Sequence, residues 1–126
     1  MGASGTTTVN FGAFPGTSDT SVTVTGQATI LAGSLVEAWI FPTATADHSA
    51  DEHWLETIKV MAGNVVAGVG FTIYAVNTSQ LNEPLGKAGI SGFRPAATSV
   101  YGYAGETSGG IGTRIYGSWS VGWVWN

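Results

Sequence analysis

The side chains that could do chemistry are gathered in one short stretch. Asp47-His48-Ser49-Ala50-Asp51-Glu52-His53 holds both histidines and three of the eight acidic residues of the 126-residue chain. Histidine and carboxylate together suit Zn²⁺ and related ions. The spacing does not. His48 and His53 are five residues apart, which on a helix turns them about 140° away from each other, unlike the i, i+4 pair of a helical zinc site. Asp47, His48 and Ser49 stand side by side, whereas the members of a catalytic triad converge from distant segments. The same residues match a helix start. Ser49 as N-cap and Glu52 three positions on form a capping box, each side chain serving the other's backbone N–H. Asp51 then lies where the helix dipole favours an acid. This predicts a short helix near 50–55 that links two strands, with Trp54 or Leu55 anchoring it to the core.

Other candidate chemistry is thinner. Glu37 and Glu56 would form a glycosidase pair only at a separation of about 5 Å or 6.5–9.5 Å, which spacing in sequence does not establish. Gly109-Gly110-Ile111-Gly112 matches no phosphate-binding motif. Asn77-Thr78-Ser79 fits the glycosylation acceptor pattern, but no secretory leader is visible at the N-terminus. With no cysteine, a disulfide, a thiolate metal site and a cysteine nucleophile are all excluded. The expectation is a non-enzyme with no catalytic residue, no metal ligand and no cofactor.

The elements that must position these residues read as strands. Ser21 to Ile30 alternates cleanly, with Val22, Val24, Ala28 and Ile30 on one face and threonine and serine on the other. Leu35 to Phe41 places Val36, Ala38 and Ile40 opposite Glu37, Trp39 and Phe41, and Pro42 ends it. Glu56 to Ala62 follows, with Ile58 and Val60 inward. Gly63-Asn64 reads as a hairpin turn. Val65 to Val76 is apolar on both faces, as expected of a central strand covered on both sides. A last strand runs from Thr113 to Trp125, where Ile115, Trp119, Val121, Trp123 and Trp125 share one face. Such a pattern predicts an all-β fold: an antiparallel β-sandwich or jelly-roll-like barrel with one short helix.

The tryptophan stripe has two readings. Trp119, Trp123 and Trp125 either fill the core or a subunit interface, or they form a platform for stacking sugar rings. Gly68 and Gly70, small residues on the facing strand, favour burial. Residues 1–20, rich in Gly, Ser and Thr, read as an N-terminal arm whose Phe11, Phe14 and Pro15 would touch a partner and whose removal would leave the fold. The remainder, 21–126, reads as a single β domain with a Gly-rich loop at about 77–112. Phe93, Tyr101 and Tyr103 would be exposed or partner-binding on that loop.

Charge narrows the function. Only 10% of residues are charged, against about 25% in an average soluble domain. The four basic residues, Lys59, Lys87, Arg94 and Arg114, are scattered, so a nucleic-acid partner is not expected. No apolar run is long enough to span a membrane as a helix. Sparse charge is instead typical of surfaces that lie in protein interfaces.

Three stretches carry a resemblance: Thr45 to His53, Phe71 to Gln80, and the ending Trp119-Ser120-Val121-Gly122-Trp123-Val124-Trp125-Asn126. They resemble small virion structural proteins of tailed bacteriophages. The resemblance implies a capsid decoration or cement protein, made in the bacterial host cytoplasm and located on the capsid surface. It also implies a partner, the major capsid protein, and a homotrimer or homodimer. The alternative within the same group is a small tail or receptor-binding component with a carbohydrate-binding β-sandwich.

Overall fold

A computed structural model describes residues 2–79 and 113–126. The expectations for Phe93, Tyr101 and Tyr103, and for most of the 77–112 segment, lie outside the described residues. The chain order is β1 (Ala3–Asn10), β2 (Asp19–Val24), β3 (Val36–Ile40), α1 (Ala50–Leu55), β4 (Ile58–Val66), β5 (Gly70–Asn77) and β6 (Ser118–Trp125). They form two antiparallel three-stranded sheets, β1-β6-β3 and β2-β5-β4. The sheets pack face to face, and they also approach along their edges, β3 near β4 and β1 near β2. The fold is an all-β sandwich with one short helix, as the alternation predicts. No helix among the described residues is long and apolar enough to cross a membrane.

The inner faces follow strand parity. From the first sheet, Val9, Ala38, Trp119, Val121, Trp123 and Trp125 are buried. From the second come Phe71, Ile73 and Ala75, while the loop residues Phe11, Ile30 and Ile115 fill the ends. The tryptophan stripe is therefore core. A sugar platform built on Trp119, Trp123 and Trp125 is ruled out by their exposures of 2%, 8% and 3%. Each tryptophan buries about 150–250 Å², an upper-bound transfer contribution of about 4–6 kcal/mol, several times the net value of a hydrogen bond. The Trp125 indole N–H donates to Gln27 Oε1 at 2.8 Å, and that of Trp119 to the Tyr116 carbonyl at 3.2 Å.

Small residues do face these rings, but they are not Gly68 and Gly70. Gly5 pairs with Trp123 across β1 and β6. A Cβ at Gly5 would come within 2.6 Å of the Trp123 ring. On the outer face, Gly122 pairs with Trp39, and a Cβ there would lie 2.8 Å from that indole. Each ring lies over the glycine of its cross-strand pair, where only a missing side chain leaves room.

The N-terminal arm is a correction. Residues 3–10 form β1, paired with β6 along its whole length from Ala3↔Trp125 to Asn10↔Ser118. Phe11 is 1% exposed and belongs to the core, not to a partner surface. Deleting this segment would strip an entire strand from β6. The sequence concealed the strand because three of its four inward positions hold Ala3, Gly5 and Thr7, leaving Val9 alone to mark the face. Its Thr-rich composition nevertheless suits extended backbone.

Three further readings change. The predicted strand from Ser21 stops at Val24, and Gly26 (φ +79°) carries the chain away before Ala28 and Ile30. Gly63-Asn64 is not the hairpin turn but a bulge inside β4. There the register slips between Gly63↔Thr72 and Val66↔Gly70, with Asn64 at φ +53°. Bulges and hairpin turns both use positive φ, so the same residue types mark either. The turn itself lies four residues later, closed by Val69 N–H donating to the Val66 carbonyl at 3.0 Å. Finally, β5 is central in its sheet but covered on one face only, since Tyr74 is 46% exposed on the other.

The fit of Trp123 over Gly5 is testable. Replacing Gly5 by Val should lower the unfolding free energy by about 1–3 kcal/mol through overpacking. Gly33→Ala, at a position with no neighbour within 4 Å, should stay within about 0.5 kcal/mol of the parent. Equal urea midpoints for the two variants would show that the ring is not held there.

Candidate functional site

The polar stretch from Asp47 to His53 sits where β3 gives out. In the β3–β6 ladder the last paired residue is Ile40, opposite Val121. Phe41 N–H still donates to the Ser120 carbonyl at 3.0 Å. Pro42 has no N–H to continue and its ring disfavours further pairing. On the β3 side, Ser118 and Ser120 of β6 are then left without a strand beside them. A buried, unpaired backbone group costs about 1–3 kcal/mol.

Residues 43–53 supply the missing partners. Asp47 Oδ2 accepts from Ser118 N–H at 2.8 Å, and Thr45 Oγ1 donates to the Ser118 carbonyl at 2.8 Å. His53 Nε2 accepts from Ser120 N–H at 2.9 Å. The Ser120 hydroxyl donates to the Thr43 carbonyl at 3.3 Å. Side chains here do what a strand backbone would have done. Gly117, at φ +80°, turns β6 toward this loop, and a side chain there would strike Asp47.

The loop is itself held in shape. Thr45 Oγ1 accepts from the N–H groups of Asp47 and His48 at 3.2 and 3.1 Å. Helix α1 begins at Ala50 with the predicted capping box: Ser49 Oγ accepts from Glu52 N–H, and Glu52 Oε1 accepts from Ser49 N–H at 2.8 Å. The core anchor of the helix is His53, 2% exposed, not Trp54 or Leu55, which are 76% and 69% exposed. The apolar residues face water because ligating Ser120 requires the imidazole on the inner side.

Both histidines are committed at both ring nitrogens. A backbone N–H can only donate, so His53 Nε2 carries no proton and Nδ1–H donates to the Ser49 carbonyl at 2.7 Å. His48 Nε2–H donates to the Tyr116 carbonyl at 2.6 Å, and Nδ1 faces Glu52 Oε1 at 3.1 Å. As an imidazolium, His48 forms a salt bridge with Glu52. Its ring stacks on Trp119 with centroids 3.8 Å apart. The Ser49 N–H, and after it His48, hold the Glu52 carboxyl below its ordinary value of 4.5. No group of three or more His, Cys, Asp or Glu able to hold a metal occurs among the described residues.

The remaining candidates are dispersed. Glu37 and Glu56 line separate depressions and are not brought to one site. Asn77 is buried: its Nδ2 donates to the Thr113 carbonyl at 2.9 Å and its Oδ1 accepts from Thr57 Oγ1 at 3.0 Å. Its amide is thus engaged as a strut, not presented for glycosylation. Phe14 and Pro15 lie on an exposed turn closed by Gly16 N–H and the Ala13 carbonyl at 2.7 Å. Phe14 is 79% exposed and meets Tyr116 edge-on at 5.6 Å.

Sequence reading missed a cleft at this end of the sandwich. It has a volume of about 380 Å³. Trp119 and His48 line it together with Phe14, Tyr116 and Leu55, and Glu52, Glu56 and Arg114 add charge. Its members come from three separate segments, and no local motif could have joined them.

Comparison with protein-family models, with curated proteins and with solved structures finds no match to this chain.

Two outcomes follow from this geometry. His53→Phe keeps a ring but removes the acceptor for Ser120 N–H, and should cost about 1–3 kcal/mol in urea unfolding; an unchanged midpoint would show that the bond is dispensable. The lowered Glu52 carboxyl stabilises the fold at pH values above 4.5. That contribution is lost as pH falls through the depressed folded-state value. Glu52→Gln preserves the capping box but not the charge. The parent should therefore be the more stable above pH 4.5, with the difference closing in acid.

Proposed function

We propose that this protein is a non-enzymatic structural module that holds neighbouring protein subunits together, as a small virion decoration or cement protein does. The observation that carries the reading is the outer face of the β1-β6-β3 sheet. Along β3 and its extension, side chains at 35, 37, 39 and 41 share that face by strand parity. Leu35, Trp39 and Phe41 are 78%, 43% and 41% exposed. Threonines and serines from β1 continue the face, and Glu37 is its only charge on β3. A sheet face that mixes aromatic, aliphatic and hydroxyl groups with almost no charge fits the core of a protein interface.

Two further features support a structural role. Asp47 and His53 are already engaged in completing β6, and His48 and Glu52 in holding the loop beside it, so the residues with the most chemical potential serve the fold. The sparse charge of the whole chain suits a molecule held among neighbours. The sequence resemblance to phage virion proteins names the partner class, the major capsid protein, and a closed dimer or trimer as the assembly that would reuse one patch by symmetry.

Purified protein should sediment as a discrete oligomer and should co-sediment with assembled shells but not with free capsid subunits. Leu35→Glu alters an exposed position and should leave the melting temperature unchanged while weakening shell binding about tenfold. A parent protein that remains monomeric and passes shells by would overturn the reading.

A further inference from the structure

We infer that the cleft at the head of β6 is a saccharide-binding site, taking a neutral pyranose against Phe14 and Tyr116. Its volume, about 380 Å³, lies within the range of about 300–1,000 Å³ for small-molecule sites.

The floor is rigid. His48 is tied at both ring nitrogens and stacks on Trp119, whose indole N–H is bonded to the Tyr116 carbonyl. Ile115 is held by a bridge to Thr17, with backbone bonds of 2.9 and 3.1 Å. A preset floor lets a ligand bind without ordering the protein first.

The walls stand open to solvent. Phe14 and Leu55 are 79% and 69% exposed, yet they line the same cleft from different segments. Phe14 and Tyr116 meet at an interplanar angle of 76°, forming an aromatic corner open to solvent. Such a corner accepts the C–H-rich face of a sugar ring through dispersion and burial of apolar area.

The polar groups select for neutrality. Arg114 lines the cleft and has no ion-pair partner among the described residues, and a guanidinium can offer its N–H donors to a ligand. Glu56 Oε1 accepts from Thr57 N–H at 3.2 Å and its Oε2 is left as an acceptor on the same cleft, while Glu52 Oε1 is occupied by Ser49 and His48. An anion would meet the carboxylates, and a simple cation would meet Arg114. Vicinal hydroxyls both donate and accept, and so match the pair. A zwitterion matches the two signs as well, but in a solvent-open cleft its charges are screened and contribute little. Stacking on the corner is not screened, which favours the sugar.

The test uses the isolated full chain and does not depend on shell binding. Saturation-transfer NMR is run with methyl glycosides of glucose, galactose, mannose and N-acetylglucosamine, alongside choline and free glycine. At least one glycoside should receive saturable transfer at its ring protons. Phe14→Ala and Arg114→Gln, both at exposed positions, should keep the parent's melting temperature and weaken that glycoside about tenfold. Transfer to no glycoside overturns the assignment. So does glycoside binding that both variants leave unchanged, or binding of choline or glycine alone.

Discussion

The sandwich depends on β6 being hydrogen-bonded along both edges. It is the middle strand of its sheet and places three tryptophans and Val121 in the core. On one side β1 pairs with it from end to end. On the other, β3 stops at Pro42 with two residues of β6 still unserved. The loop from Thr43 to His53 closes that gap with a hydroxyl, a carboxylate and an imidazole. Ser118 and Ser120 therefore have their β3-side groups paired without a strand. The capping box, the turn at Gly117 and the stacking of His48 on Trp119 all serve to hold these side chains at the right place.

A second constraint follows from the first. A strand Trp whose ring lies over its cross-strand partner needs a small residue there, and glycine supplies it at Gly5 on β1 and at Gly122 on β6. Trp123 lies over the first on the inner face, and Trp39 over the second on the outer face. One consequence is structural economy: a small number of large rings makes the core. Another is a half-exposed Trp39 on the outside, lying flat over the sheet where a side chain on Gly122 would have lifted it away.

Function is then a matter of what the fold leaves unused. The histidines and most acids of the 45–53 loop are engaged. What remains are an apolar outer sheet face and an end cleft walled by Phe14, Leu55 and Tyr116 beside Arg114. The two proposals rest on these surfaces, which differ in kind. The sheet face is broad and nearly uncharged, suited to another protein. The cleft is small, floored by rigid rings and edged by opposite charges.

The sequence by itself determined the fold class, the β3 stop at Pro42, the helix at 50–55 with its Ser49–Glu52 cap, and the shared face of Trp119, Trp123 and Trp125. Those depend on local periodicity and on residues three or four apart, which the chain states directly. It did not reveal β1, because its inward positions hold Ala3, Gly5 and Thr7, and the ring that covers Gly5 is brought by Trp123 from far along the chain. Nor did it distinguish a bulge from a turn at Gly63-Asn64, since both want the same backbone angles. The cap was legible, but its purpose was not. Tertiary structure alone decided that His53 rather than Trp54 faces inward, because the unsatisfied Ser120 N–H it meets belongs to a strand 67 residues away. A polar group's partner is set by which backbone edge is left open, and only the assembled sheet determines that.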